Sequence, residues 1–185
     1  MKTVVRSVVA CVAVALASAI VLQAGALDPA LQAKVDAEVK SVQAWASDPV
    51  IVNAVKAHNA SKPADQAAMT QAKWASLTVL DPFVRSFSKN EAGMFLKAKK
   101  SAVVTEAFVS DASGAKVAFL AKPSGWTHKG KPKHDVPMTG KTWQGSIEVD
   151  ESTGTQQVQI AVPVMDGQKP IGSLVIGLSV SKLGQ

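Results

Sequence analysis

The sequence predicts an α+β fold, in which a helical half precedes a half made of strands. Apolar residues recur every three or four positions from Leu31 to Trp45, which is the spacing of one face of a helix. After Lys100 the apolar residues alternate instead, as they do along strands that have one buried face. Short turns join most of these strands, so we expect an antiparallel sheet.

The first 26 residues predict a secretory signal peptide rather than a part of the fold. Lys2 and Arg6 precede an apolar run of about 15 residues, 8–22, and the small residues 24–26 form a cleavage site. Because the run is shorter than the roughly 18 residues that span a bilayer, an uncleaved N-terminal membrane anchor is only the alternative. We therefore expect a periplasmic or secreted protein in which residues 27–185 form one domain.

The composition of residues 27–185 excludes several functional classes. Signal cleavage removes the single cysteine, so disulfide and thiol chemistry are not available. The 18 basic residues are mostly scattered lysines set against 14 acidic ones, which does not indicate a nucleic-acid partner. The chain has no nucleophile elbow, H-E-x-x-H zinc motif, phosphate loop or C-x-x-C-H haem motif. We therefore predict no enzyme, no catalytic residue, no metal ligand and no cofactor.

Helix starts are marked by Asp-Pro pairs, because the Asp side chain caps free N–H groups and proline fits the first helical position. These pairs are Asp28-Pro29, Asp48-Pro49 and Asp81-Pro82. Another helix is predicted from residue 62 to Leu77, and Asn90 caps a last one that ends near lysines 97–100. Residues 27–100 thus form one long helix and several short ones.

Five strands are predicted in residues 101–185, at 103–110, 115–120, 143–150, 156–164 and 170–180. The last two strands each have one bulky and one small face. An irregular stretch, 121–142, separates the second strand from the third and holds three prolines, three glycines, five lysines and two of the three histidines. Since loops of about 20 residues within a domain are usually functional or mobile, this loop is where we expect a site.

These strands carry motifs that resemble the extracellular PAS-like sensor domains of the Cache (PDC) family, single-Cache type. Residues 108–118 resemble the family's first hairpin, V-x-D-x-x-G-x-x-V-A. The last three strands resemble the family in D-x-x-T-G at 150–154, P-V at 163–164, D-G at 166–167 and I-G at 171–172. The resemblance implies a PAS-like five-stranded antiparallel sheet with a long N-terminal helix and several short helices.

The resemblance also implies a module that binds a small extracellular molecule between the sheet and the long loop. We expect a stand-alone sensor for a short carboxylate or an amine. Because only residues 181–185 follow the last predicted strand, its signal would pass to a separate partner such as a membrane receptor. Relatives that bind amino acids carry an aspartate in the last strand, where this chain has Leu178, so an α-amino acid held in that way is not expected.

The candidate ligand-binding residues combine aromatic walls with groups that bind a carboxylate. They are Trp126, His128, Lys131, His134 and Trp143 in and beside the loop, Phe108 and Ser110 on the first strand, and Arg85 on the fourth predicted helix. The alternatives are structural: the tryptophans pin the loop to the core, the basic loop residues are solvated, and Arg85 is an exposed helix cation.

Two other functions stay open. A structural or interaction protein would keep the fold without a ligand pocket and form a homodimer through the Leu31–Trp45 stripe. A metal carrier would use His128 and His134 with the adjacent Asp135, and a carrier of non-covalent haem would use a histidine.

Overall fold

The structure is a computed structural model that describes residues 27–149 and 154–185; the predicted signal peptide lies outside these residues. The strands are β1 (Val104–Asp111), β2 (Lys116–Phe119), β3 (Trp143–Val149), β4 (Gln156–Asp166) and β5 (Lys169–Ser179). They form one antiparallel sheet in the spatial order β2-β1-β5-β4-β3. The predicted α+β class is confirmed, and the five-stranded sheet with its helices is consistent with a PAS-like fold.

The helices are α1 (Pro29–Ala46), α2 (Pro49–Ala60), α3 (Ala64–Ala67), α4 (Gln71–Ser76), α5 (Pro82–Lys89), α6 (Glu91–Lys99), α7 (Pro132–Asp135) and α8 (Val180–Leu183). The predicted caps are confirmed. Asp28, Asp48 and Asp81 each accept hydrogen bonds from backbone N–H groups at the start of their helix, and Asn90 accepts one from Gly93. None of the helices in residues 27–149 and 154–185 combines the length and the apolar character that a membrane span requires.

Two helical predictions are wrong. The helix predicted from residue 62 to Leu77 is split into α3 and α4, because Thr70 is extended and its side chain caps α4 by accepting a bond from Lys73 N at 3.2 Å. The loop 121–142 is also less irregular than expected, since it contains α7 and a 3-10 turn at Pro137–Thr139. A proline opens each of these two pieces.

The sheet has two covered faces, which we name by what covers them. On the helix face, the bulky residues of β4 and β5, such as Ile160, Ile176 and Leu178, pack in one core with Val35 of α1 and Val55 of α2. On the loop face lies a second core, which contains Phe87, Phe108, Phe119, Trp126, Ala161 and Val175. The loop 121–142 therefore lies over the small side chains of β4 and β5, where the ligand region was expected.

The apolar stripe of α1 is covered within the chain itself. Val35 and Val42 are fully buried against the sheet, and Leu31, Val39 and Trp45 pack around them as partly buried residues. The sheet of the same chain therefore covers the centre of the stripe, and the three partly buried residues lie at its margin.

Candidate functional site

An aromatic cluster fixes the start of the loop to the loop face. The Trp126 ring lies 5.3 Å from the centre of Trp74 and 5.8 Å from that of Phe87. Gln71 holds the backbone on both sides, since its amide accepts a bond from Trp126 N at 2.8 Å and donates one to Ser124 O at 2.9 Å. Trp126 thus lies in the core and holds the loop, which is the structural alternative left open above.

A β-bulge turns Lys116 onto the loop face. The strand pairs are Val109 with Ala118 and then Ser110 with Lys116. Val117 is left out of this register, and one extra residue reverses the alternation of side chains beyond it. Lys116 therefore lies on the same face as Ser110, although strict alternation along β2 places it on the helix face.

The ammonium group of Lys116 is buried between uncharged groups. Its Nζ atom lies 2.5 Å from Nδ1 of His128, 3.4 Å from Oγ of Ser110 and 4.9 Å from the centre of the Phe108 ring. The His128 ring stacks on Phe108 at 4.7 Å. Lys116 and Ser110 are both 0% exposed, and no carboxylate of the described residues lies within 4 Å of the ammonium group. A buried cation without an anionic partner is costly, so this arrangement calls for an explanation.

The other polar groups of the loop face come from α7 and from the strands opposite it. His134 forms a hydrogen bond of 2.8 Å through Nδ1 with Oγ of Ser173, and both residues are buried. Lys133 donates to Oε1 of Gln159 at 2.7 Å. The amide of Gln159 in turn donates to Glu106, which is the carboxylate of this face.

Burial lowers the pKa of three groups of this face, and neighbouring positive charges lower the pKa of Lys116 and His128 further. Burial lowers the pKa of Lys116 to about 7, and the charge of Lys133 lowers it further, against the opposing effects of Asp111 and Glu106. Burial, with Lys116 and Lys133 next in importance, lowers the pKa of His128 to about 2. Burial also lowers the pKa of His134. Both histidines are therefore neutral at pH 7.

A second charged cluster ties α2 to the turn between β1 and β2. Asp111 accepts bonds from His58 Nδ1 at 2.9 Å and Lys62 Nζ at 2.7 Å on one oxygen, and from the N–H groups of Ser113 and Ala115 on the other. Burial by itself raises the pKa of Asp111, but the hydrogen bonds from His58, Lys62 and Ser113 outweigh it and hold that pKa far below its usual range. Because each oxygen has protein donors, this carboxylate is structural.

The remaining candidates lie away from the buried group. Lys131 is exposed, and its backbone carbonyl accepts the first N–H bonds of α7. Trp143 is half-buried at the margin of the loop-face core. Arg85 is exposed on α5, in a separate cleft. The structure thus brings together Phe108, Ser110, His128 and His134, and it leaves Lys131 and Arg85 outside.

The position expected to oppose an amine differs from the sequence interpretation. Leu178 points to the helix face, in the core with α1 and α2, and does not contact the candidate site. The loop face of β5 carries Ser173, Val175 and Gly177 instead. A Cβ atom at Gly177 would lie 2.5 Å from Oε1 of Gln157, so a side chain at this position would require the side chains of Gln157, Thr105 and Glu106 to shift.

Sequence reasoning missed Lys116, Lys133, Glu106 and Gln159. The signal that could have found Lys116 is a lysine within an otherwise apolar strand, but the bulge that directs it was not visible in the sequence. Among residues 27–149 and 154–185, no group of three or more His, Cys, Asp or Glu side chains is arranged to hold a metal ion.

Comparisons with protein-family models and with curated proteins give no match. Solved structures do match, at low sequence identity. The sensor domain of the V. cholerae histidine kinase DctB is 12% identical with a TM-score of 0.49, over 83% of this chain and 53% of that one. The ligand-binding domain of the Pseudomonas aeruginosa amino acid chemoreceptor PctC, solved with GABA, is 15% identical with a TM-score of 0.47, over 83% and 56%.

The sensor domain of E. coli DcuS is 14% identical with a TM-score of 0.47, over 85% of this chain and 97% of that one. This chain therefore spans about half the length of the DctB and PctC domains and nearly all of the DcuS domain. All three of these solved structures are sensor or ligand-binding domains.

Proposed function

We propose that this protein is an exported, non-enzymatic sensor module that binds a short carboxylate on the loop face and signals through a separate partner. The observation that carries the proposal is the buried Lys116 ammonium group, which contacts His128, Ser110 and the Phe108 ring but no carboxylate of residues 27–149 and 154–185. An anionic ligand supplies the charge that the protein itself does not place there. The strand motifs that resemble the Cache family support the same region.

The balance of charge on this face favours a carboxylate over an amine. Lys116 and Lys133 both lie near the Phe108 ring, whereas Glu106 already accepts bonds from Gln157 and Gln159. A carboxylate can accept charge-assisted hydrogen bonds from both lysines. An amine ligand would find Glu106 already bonded to two amides and two positive charges opposing it, so it is the weaker choice.

The site is closed in this structure, so binding requires the loop to move. Ser110, Lys116 and Ser173 are 0% exposed, which leaves no water-sized space beside them. Lys133 and His134 both belong to α7, a helix of only four residues within the loop. We expect the α7 segment to lift from β5 when the ligand binds, with Trp126 as the fixed point behind it.

A thermal-shift screen of the purified protein tests the proposal. The panel holds short carboxylates, amines, amino acids and purines, because a ligand of the folded state must raise the midpoint of unfolding. We expect carboxylates to raise it, and more strongly below pH 7, where Lys116 is protonated before binding. Lys116→Met should abolish the shift, whereas Lys97→Met, which removes an exposed lysine of α6, should leave it unchanged.

The screen can also contradict the proposal. If no compound of the panel raises the midpoint of unfolding, ligand sensing is excluded. If the shift persists in Lys116→Met, the ligand binds at another site. The closed loop face is the observation that supports a second candidate function, that of a structural or interaction protein. Light scattering at several protein concentrations, with and without the panel, distinguishes the two, because a ligand-independent dimer supports the second.

Export is tested by the N-terminus of the mature protein. The proposal expects a periplasmic form that begins at Leu27, which N-terminal mass analysis identifies. A form that keeps residues 1–26 in the membrane fraction supports the anchored alternative.

A further inference from the structure

Arg85 lines a cleft that is separate from the loop-face site. The cleft has a volume of about 250 Å³ and lies between α5, the turn before it and the segment that follows β2. Its apolar walls are Val79, Val84, Phe119 and Leu120, and its two cations are Arg85 and Lys122. Neither Lys116 nor any histidine lines this cleft, so a ligand of the loop-face site would not occupy it.

Both cations of this cleft lack an anionic partner among the described residues. The Arg85 guanidinium group forms no hydrogen bond and no ion pair there, and no acidic residue lines the cleft. Lys122 contacts the face of Trp74, with Nζ at 4.6 Å from the ring centre. Arg85 is the only arginine of residues 27–185, and its planar fork is suited to bidentate binding of a carboxylate. The charge of the cleft therefore selects an anion.

Apolar side chains are exposed at the mouth of the same cleft. Val79 is 64% exposed and the adjacent Leu80 is 73% exposed, which makes them the two most exposed large apolar residues described. Phe119 and Leu120 continue the apolar surface inward. Exposed apolar side chains next to unpaired cations match a ligand that has both an apolar part and an anionic part.

We propose that this cleft is a second binding site, which takes a small amphiphilic carboxylate. The carboxylate lies between Arg85 and Lys122, and a short hydrocarbon tail covers Val79 and Leu120. The volume is below the roughly 300–1,000 Å³ of pockets for drug-sized ligands, so a tail of a few carbons is the appropriate size.

The test is a titration of the isotope-labelled protein with sodium hexanoate, followed by ¹H–¹⁵N NMR spectra. We expect saturable shifts at the amides of Val79, Ser88 and Leu120. Acetate lacks the tail and 1-hexanol lacks the charge, so each should bind at least about tenfold more weakly. Arg85→Gln should weaken hexanoate binding by about tenfold or more, because a charge-assisted hydrogen bond is lost.

Lys89→Gln is the matched control, since Lys89 is an exposed cation of the same helix that does not line the cleft. It should leave the hexanoate titration unchanged, and dispersed spectra show that both variants are folded. The proposal is overturned if shifts do not saturate, if Arg85→Gln titrates like the unchanged protein, or if 1-hexanol binds as tightly as hexanoate. Shifts centred on Ser110 and Ser173 instead would assign the compound to the loop face and also overturn it.

Discussion

At the scale of single residues, Lys116 is the least expected side chain of this protein. It is 0% exposed, and its pKa is lowered to about 7, mainly by burial. The unfolded chain has an ordinary lysine, so it binds more protons than the folded chain between about pH 7 and 10.5. Folding stability should therefore rise with pH across this window, because the folded chain has already lost this proton and the unfolded chain gives it up only as pH approaches 10.5.

The substitution Lys116→Met tests this account. A methionine of similar length fills the space without a buried charge, so we expect the free energy of unfolding at pH 7 to rise by about 1–4 kcal/mol. The gain should shrink as pH approaches 10.5, where the lysine of the unfolded chain also becomes neutral and folding no longer has to remove its proton. Urea unfolding at a series of pH values measures both effects.

Lys97→Met serves as the control here as well, because it removes an exposed lysine of α6. Its unfolding free energy should follow the unchanged protein at every pH. If Lys116→Met is less stable at pH 7, or its pH profile runs parallel to that of the unchanged protein, the buried ammonium group is not the source of the slope.

At the scale of elements, Asp111 joins α2 to the β1–β2 hairpin. Its side chain is 2% exposed and bonds His58 and Lys62, which come from α2 and the segment after it. It also bonds the backbone of its own turn, where Gly114 takes a φ of +79° and a side chain would press against Lys129 N. One carboxylate thus fixes a turn and a helix at the same time.

Asp111→Asn should weaken the attachment of α2 to the β1–β2 hairpin. An amide nitrogen would face the donors of His58 and Lys62, so we expect a loss of roughly 3 kcal/mol of unfolding free energy. Asp166→Asn is the matched control, because the Lys56–Asp166 pair is 48% exposed on both sides and should contribute less than about 1 kcal/mol. Equal losses in the two variants would contradict the role assigned to Asp111.

At the scale of the whole molecule, two buried neutral histidines make the fold sensitive to acid. Burial lowers the pKa of both His128 and His134, whereas the unfolded chain protonates histidine near pH 6.5. Below that pH the unfolded state binds more protons, so stability is present above pH 6.5 and is lost as pH falls. Asp111 adds a further loss below about pH 3.8, since its pKa is also lowered.

We therefore expect the unfolding free energy to fall by about 2–4 kcal/mol between pH 7 and pH 5. Urea unfolding followed by circular dichroism at the two pH values measures the fall. An unfolding free energy that is the same at both pH values would mean that the two histidines are solvated in the native protein. A saturating anionic ligand should reduce the fall, because it binds the folded state more tightly at pH 5, where Lys116 is fully protonated.

Much of the fold was predictable because its signals are local. An aspartate followed by proline caps a helix wherever it occurs, and α1, α2 and α5 begin as the sequence indicates. Alternation in β4 and β5 also holds, since Val158, Ile160, Leu174 and Ile176 all belong to the helix-face core that contains residues of α1 and α2. The break between α3 and α4 was missed because a single threonine cap competes with an apolar pattern that runs across it.

The site was predictable only in part, because side-chain direction depends on register. Phe108, Ser110, His128 and His134 do meet on the loop face. Trp126 instead lies in an aromatic core, and Arg85 lies on α5 in a different cleft. Neither separation has a local signal, since both follow from which elements pack together.

The sequence alone determined the α+β class, the order of the elements and the strands over which the loop lies, because capping, periodicity and turn chemistry act within a few residues. Only the tertiary structure decided that Lys116 is buried on the loop face, that Leu178 is turned away from it, and that Arg85 has a cleft of its own. The physical reason is that a bulge shifts side chains between faces by one residue, and only the pairing of distant strands reveals it.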